Sequence, residues 1–463
     1  MPLALGAFIV PLIVACALFM ENVDATVLVT SLPELARDLG QDPITLKLAV
    51  TSYVVGLGVF IPICGWVADR FGSRTVFRAA IGVFIAGSLL CAASTSLFTF
   101  VLARFVQGVG GAMMVPVGRI IIFRSVARAD FVRAVNYLTI PSLLGPVVGP
   151  LLGGFITTYL HWRLMFFINV PIGILGIWLT NRHIENTRMP HPGRLDWLGF
   201  LLSGGGAALF MLAMSLLGSD ILDTRDNIIM LAVGVILVLL YVVYARRAEK
   251  PLLDLSFLRV PTFHTAVIGG SLFRIGLGAI PFLLPLALQE GLGMTPFEAG
   301  TITCASAFGA LFMKLVAQPV LRRFGFGPVL MANAILAGLA IAVYGVFHPG
   351  MSRLVIWCIV LFGGVFPSLQ FTALNALAYA EIESADVGRA TSLASVIQQM
   401  SLGLGVVVAG IVLQLSHIVQ GHPQIVWTDF WPAFVVLGLF SVASVPVTAR
   451  MPRGAGRELA GGR

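Results

Sequence analysis

An all-α polytopic membrane protein is the fold class this sequence predicts, and three observations carry it. Of the 463 residues 58% are hydrophobic and only 11% charged, with mean hydropathy +0.96; a soluble domain carries about 25% charged residues. The apolar residues fall in runs of about twenty, the length a bilayer core demands of a helix. The runs also lack the short alternating segments of a membrane β-barrel. A soluble enzyme and a disordered chain are excluded by the same composition, because too few polar side chains exist to cover a globule in water.

Fourteen spans follow. The first six are 6–32, 46–68, 76–95, 98–122, 135–158 and 164–181. Arg37 and Lys47 mark the turn after the first, Arg70, Arg74 and Arg78 the next, Arg124, Arg128 and Arg133 the turn after the fourth, and Arg163 the turn before the sixth. Spans seven and eight, 195–217 and 227–245, are bounded by Arg182, Arg188 and Arg194 on one side, Arg225 between them, and Arg246, Arg247, Lys250 and Arg259 after them. The last six are 263–288, 296–318, 328–347, 354–378, 390–415 and 430–449, with Arg322, Arg323, Arg353 and Arg389 in their turns and Arg450, Arg453, Arg457 and Arg463 at the end. With the N-terminus inside, 20 Lys+Arg fall on inner segments and 5 on outer ones, and Arg104, Arg119, Arg274 and Lys314 lie within spans. That bias predicts N-in and C-in. Twelve spans would give the same parity, so the separate runs at 195–217 and 227–245 are what predict fourteen.

The net charge of +8 belongs to those inner ends, so no nucleic-acid partner is expected. Cys16, Cys64, Cys91, Cys304 and Cys358 all sit inside apolar runs without paired spacing. They are expected to be small buried hydrophobes, with no disulfide and no metal site. The first apolar run is about twice the length of a signal-peptide core and lacks a basic leader, so no cleavable signal is expected.

The expected organisation is a six-helix bundle over 1–182, two extra helices with flanking linkers over 183–262, a second six-helix bundle over 263–449 and a tail over 450–463. A repeat supports it: Asp69-Arg70-Phe71-Gly72 aligns with Arg322-Arg323-Phe324-Gly325 at an offset of 253 residues. That offset carries span one onto nine, four onto twelve and five onto thirteen. A duplicated six-helix unit with a path between its halves is a transporter plan.

Ionisable side chains at membrane depth are expensive and mark functional sites. Glu21 and Asp24 share one face of span one at i, i+3 spacing. Asp24 lies roughly 7 Å beyond the span's centre and Arg104, on span four, roughly 9 Å toward the same side, which makes them a candidate buried pair. The pair can be a fixed tie between the spans. It can also be a proton carrier, since burial disfavours the charged carboxylate and Arg104 favours it. The repeat offset places Arg274 opposite Glu21; the two can pair across a cavity, or each can pair within its own half. Snorkelling accounts for Arg119 and Lys314. Gln107, Gln370, Asn375, Gln398 and Gln399 are polar groups at depth. With Phe273, Arg274 and Phe282, the residues Gln107, Gln370 and Gln398 are the candidate substrate contacts. The chain contains no G-x-x-x-x-G-K and no H-E-x-x-H, which argues against a nucleotide-driven pump and a metalloenzyme.

Four stretches resemble the major facilitator superfamily, and within it the fourteen-span drug:proton antiporters of the EmrB/QacA type, closest to the MdtD/HsrA-like branch. Gly65-Trp66-Val67-Ala68-Asp69-Arg70-Phe71-Gly72-Ser73-Arg74 matches the loop motif G-x-L-A-D-R-x-G-R-K/R, with Ser73 in place of a basic residue. Arg104-Phe105-Val106-Gln107-Gly108 matches R-x-x-Q-G. Gly145-Pro146-Val147-Val148-Gly149-Pro150-Leu151-Leu152-Gly153-Gly154 matches the antiporter pattern of span five. Val23-Asp24-Ala25-Thr26-Val27-Leu28-Val29-Thr30-Ser31-Leu32-Pro33 is similar to L-D-x-T-I-V-N-V-A-L-P, with Thr30 in place of Asn. Glu21 stands where related members often carry a neutral residue. The resemblance spans nearly the whole chain up to about residue 450.

The resemblance implies the major facilitator fold and a secondary active transporter, not an enzyme. It implies a proton-driven exporter of small hydrophobic or amphipathic compounds in the bacterial inner membrane, with no cofactor. Asp24, with Glu21, becomes the proton carrier and Arg104 its tuning partner. Asp69, Arg70, Gly72 and Arg74 become an inner gate, one-sided because Arg322 replaces the acid in the second copy. Gly145, Pro146, Gly149, Pro150, Gly153 and Gly154 become the antiporter motif. A monomer in contact with substrate, protons and lipid is expected, and some relatives add a periplasmic adaptor. Transport of one specific metabolite or lipid-like compound, including import, is the alternative.

Overall fold

A computed structural model of the chain describes residues 2–125, 131–189, 193–217, 221–249, 251–383, 386–422 and 424–451, with side chains of 2–8, 123, 124 and 131–143 not described. Five of the basic residues used for orientation (Arg128, Lys250, Arg453, Arg457, Arg463) and most of the 450–463 tail lie outside the described residues, as do the side chains of Arg124 and Arg133.

The described residues are helical, with no strand among them. The long helical runs are α1 (Pro2–Asp38), α2 (Lys47–Phe71), α3 (Ser73–Ala93), α4 (Leu97–Ser125), α5 (Phe131–Tyr159), α6 (Leu164–His183) and α7 (Trp197–Leu216). The remainder are α8 (Thr224–Ala245), α9 (Pro261–Gly291), α10 (Pro296–Phe324), α11 (Phe326–Val346), α12 (Arg353–Ala378), α13 (Val387–Gln420) and α14 (Trp427–Ala449). Among the described residues 13 helices are long and apolar enough to cross a membrane, and α5 contributes the shorter apolar stretch Leu144–Tyr159. Several helices outrun their apolar runs: α1 continues to Asp38 and α13 to Gln420. Hydrophobicity marks only the part that needs lipid, whereas the backbone ladder continues until something caps it. At α10 that cap is visible, because Thr295 accepts from the Glu298 N–H, Glu298 accepts from the Thr295 N–H, and Pro296 opens the helix.

The repeat reappears in the packing. α1 lies on α5 as α9 lies on α13, α2 on α4 as α10 on α12, and α3 on α6 as α11 on α14. The turns agree as well. Gly72 between α2 and α3 has φ 93°, and Gly325, at the equivalent place between α10 and α11, has φ 78°, a conformation that side chains with a Cβ resist. Gly56 and Gly309, also 253 apart, let α2 and α10 touch their partner helices: a Cβ on Gly56 would stand 2.8 Å from the Phe105 carbonyl oxygen, and one on Gly309 would run into that of Leu361.

Two seams join the repeat-related groups, α5 against α10 and α2 against α13. The inserted helix α7 packs on both α2 and α13, so it lies over the second seam. Its partner α8 is only 11% buried over its span, an apolar surface suited to lipid. All five cysteines are free; Cys64, Cys91 and Cys304 are buried, whereas Cys358 is exposed on α12, contrary to the expectation of uniform burial. In a membrane helix an apolar outward position is as hospitable to a thiol as the core.

Candidate functional site

α1, α3, α4 and α6 converge on one buried carboxylate. The two oxygens of Asp24 are fully engaged. Oδ2 accepts from Arg104 Nη1 at 2.7 Å, and Oδ1 accepts from Gln107 Nε2 and Asn169 Nδ2, both at 2.8 Å. The Ser88 hydroxyl accepts from the same two amide nitrogens, at 2.8 Å from Gln107 and 3.0 Å from Asn169, and donates a hydrogen bond to the Phe84 carbonyl. The Arg104 Nη1 also donates to Gln107 Oε1. The Asp24 and Arg104 side chains are each 2% exposed. Desolvating two charges is tolerable only with this density of partners.

Arg104 reaches a second layer through its face. Its guanidinium lies 4.6 Å from the centroid of the Tyr53 ring, and the Tyr53 hydroxyl donates to Glu21 Oε1 at 3.2 Å. Glu21 and Asp24 therefore bracket the Arg104–Tyr53 stack from one helix face. Arg274 sits elsewhere: its Nη1 donates to the Ala266 carbonyl of its own helix at 3.3 Å. Among the described residues no ion pair joins Glu21 to Arg274, so each finds its contacts within its own half.

Other sequence-predicted residues take other partners. Gln107 belongs to the Asp24 cluster rather than to a cavity wall. Gln370 accepts from Asn333 at 2.9 Å and donates to the Leu330 carbonyl at 3.3 Å, which ties α12 to α11. Phe273 and Phe282 are buried, Phe273 edge-on to Phe371. The half-buried Gln398 is the sole member of the proposed contact set with appreciable exposure. A hydropathy pattern shows that a polar or aromatic group is inside the membrane, not which neighbour it faces.

The loop motif at 65–74 docks on the segment after α6. Ser73 donates its N–H to the Thr187 carbonyl at 3.1 Å and shares a 2.9 Å hydroxyl contact with Thr187, and the Thr75 N–H donates to Asn186 at 3.3 Å. Arg74 reaches the Ile184 carbonyl at 3.4 Å, Arg70 is exposed and Asp69 half-buried. Gly72 lies against the Asn186 side chain. The substitution of Ser for a basic residue at 73 thus exchanges a charge for a hydroxyl bridge. Along α5, Gly145, Gly149 and Gly153 receive Asn22, Thr26 and Thr30 of α1, while Gly154 meets Pro296 and Pro150 meets Gly300 of α10. One helix face therefore holds α1, and its edge forms the seam to the other half. The seam closes at the Asp38 end: Arg37 pairs with Glu290 at 3.2 Å, Gln289 donates to the Thr30 carbonyl at 2.9 Å, and the Phe297 N–H donates to Thr158 at 3.0 Å.

Sequence reasoning missed Asn169, Ser88 and Tyr53, which have no unusual spacing and become legible only when four helices meet. It also placed Lys47 in a turn. The structure buries Lys47 to 1% exposure, with Nζ 3.5 Å from the Leu217 carbonyl at the end of α7 and its stem against Gly410 of α13. A long apolar stem can be drawn inside when the charge reaches a helix C-terminus. Asp429, fully buried, accepts from His417 at 3.1 Å, His422 at 3.0 Å and the Val426 N–H at 2.9 Å, tying α13 to α14.

The profile of the Major Facilitator Superfamily matches residues 14–195 and 266–460. The chain belongs to the Major Facilitator Superfamily. The unmatched interval between the two stretches contains α7 and α8. The transport protein HsrA of Haemophilus influenzae is 33% identical over 433 residues, covering 94% of this chain and 93% of its own. The multidrug resistance protein MdtD of Shigella flexneri is 36% identical over 448 residues, covering 94% of each. The solved structure of the POT family transporter PepTSo superposes with TM-score 0.73 at 14% identity, covering 97% of this chain and 98% of its own. The nucleoside transporter NupG gives 0.64 at 14% identity, covering 97% and 99%. Those two likenesses are of fold. This member of the superfamily is a multi-pass membrane protein and a secondary transporter, not an enzyme.

Proposed function

We propose that the chain is a proton-coupled antiporter that exports small hydrophobic or amphipathic compounds across the bacterial inner membrane, with fourteen spans, both termini inside, and the bundle division given by 1–182, 183–262, 263–449 and 450–463. The relatives named for multidrug resistance support efflux. The observation that carries proton coupling is the buried Asp24 carboxylate, ion-paired to Arg104 of α4 and bonded to amides from α4 and α6.

Protonating Asp24 would convert a carboxylate with three donors into a neutral acid and leave Arg104 without its counter-charge. That change loosens α1 from α4 and α6. Antiport follows if substrate and proton favour different arrangements of the halves, because their binding then competes through conformation. In this orientation the seam at the Asp38 end would serve as an outer gate.

The test uses purified protein in liposomes with an internal pH dye, wild type beside Asp24→Asn. Substrate-driven proton release that vanishes in Asp24→Asn, with the variant still folded, is the expected result. Release that survives the substitution assigns the proton to another group, and co-movement of substrate and proton in one direction makes the chain an importer.

A further inference from the structure

Among the described residues three charged side chains keep an unpaired polar atom shielded from solvent: Glu21, Arg104 and Arg274. Arg104 is held by the Asp24 carboxylate; the half-buried Glu21 and the buried Arg274, one in each half, have no ion-pair partner among the described residues. Glu21 engages Oε1 with Tyr53, while Oε2, shielded from solvent, has no partner. Arg274 is 4% exposed, with one 3.3 Å bond to the Ala266 carbonyl and no partner at Nε. A guanidinium offers five donors and a carboxylate about four acceptor sites. Asp24, with three donors on its two oxygens, shows how this fold satisfies a carboxylate that is held in place. Glu21 and Arg274 lack that treatment, and an under-paired charge at membrane depth is costly enough to need a purpose.

Their positions are related. The 253-residue offset that carries Gly72 onto Gly325 also carries residue 21 onto 274, and α1 onto α9. They therefore occupy equivalent depths in the two repeats, with opposite charge. Each has an aromatic companion: Tyr53 bonds Glu21, and the Phe371 ring lies 5.7 Å from the Arg274 guanidinium. Arg274 is flanked by π-helical turns at Thr265–Gly269 and Ala287–Gly291, distortions that recur at functional sites. The carbonyl that Arg274 borrows belongs to the first of them.

We infer that Glu21 and Arg274 are the two charge-recognition points for substrate, and that the preferred substrates are zwitterionic amphiphiles. Resting on the exporter reading above, this assigns the substrate's cationic group to Glu21 and its anionic group to Arg274, with an apolar body among the aromatic side chains. A compound with a single charge leaves one of the two protein charges unmatched, and each such omission weakens binding.

Three probes of one scaffold test it: Nε-dansyl-lysine (zwitterion), dansylcadaverine (cation) and 6-(dansylamino)hexanoate (anion), titrated into the full chain in lipid nanodiscs by dansyl fluorescence. The wild type is expected to bind dansyl-lysine about tenfold or more tightly than either other probe. Arg274→Gln should reduce dansyl-lysine to the affinity of dansylcadaverine and leave the latter unchanged. Glu21→Gln should do the same relative to the anion, and Arg274→Lys, which keeps the charge, should retain part of the preference and report on folding. Equal binding of the three probes, no binding of dansyl-lysine, or a preference that survives Arg274→Gln would overturn the inference. The readout needs no proton movement: charge preference without substrate-driven proton release would sink the antiport reading and leave this one standing.

Discussion

Asp24 and Arg104 were legible as a pair because both are ionisable residues at matching depth on spans one and four, and hydrocarbon leaves such groups little choice of partner. What sequence could not supply was the rest of the shell. Asn169 and Ser88 are ordinary polar residues until α3, α4 and α6 bring Asn169 onto the carboxylate and Ser88 onto the amides that bind it. Their presence bears on stability. Removing the guanidinium in Arg104→Ala leaves a buried uncompensated carboxylate, a loss of about 3–5 kcal/mol. Removing Arg37, whose side chain is 65% exposed in its pair with Glu290, should cost ~0–1 kcal/mol. Thermal unfolding of both variants in detergent checks the contrast, and equal shifts would mean that the Asp24 pair contributes no more than a rim contact.

Among the elements, α5 joins two jobs that the sequence showed only as a run of glycines and prolines. Its glycines at 145, 149 and 153 seat α1, while Pro150 and Gly154 abut α10. A Cβ on Gly300 would run into the Pro150 carbonyl oxygen, and backbone cannot give way as a flexible side chain would. Gly300→Ala should therefore push α5 and α10 apart at the Asp38 end, at a cost of about 1–3 kcal/mol. Cysteines at Thr158 and Phe297, whose residues touch at 3.0 Å, provide the measurement. Cross-linking should fall in the Gly300→Ala background, and undiminished cross-linking would show that the seam absorbs the methyl group elsewhere. The periodicity of α5 announced a helix with small residues; which neighbour each glycine admits depends on rotation about the helix axis, which composition does not encode.

For the whole molecule, the repeat was readable from a four-residue match and an offset, and the packing pairs follow it. The role of the inserted helices was not readable. α7 packs across the α2–α13 seam and Lys47 meets its end, whereas α8 faces outward. The fourteen-span arrangement has a direct check in cells with a cysteine-free background. Cysteine at Arg225 or Arg353 should react with an impermeant thiol reagent in intact cells, and cysteine at Arg188 or Arg322 only in inverted vesicles. Labelling of Arg225→Cys from the inside would place the α7–α8 turn on the wrong face and remove the two extra spans from the membrane count.

By itself, then, the sequence determined the solvent, the helix class, the doubling and the identity of the central acid–arginine pair. Each of these follows from one-dimensional quantities: hydropathy per length, spacing, offset, and the cost of a charge at a given depth. The tertiary structure alone decided that Glu21 and Arg274 bond Tyr53 and Ala266 rather than each other, that Lys47 leaves the surface for the end of α7, and that Gln107 and Gln370 serve packing networks. Those outcomes depend on helix rotation and on three or four segments meeting at a point, and a side chain satisfies its hydrogen bonds with whatever that meeting brings within 3 Å or so.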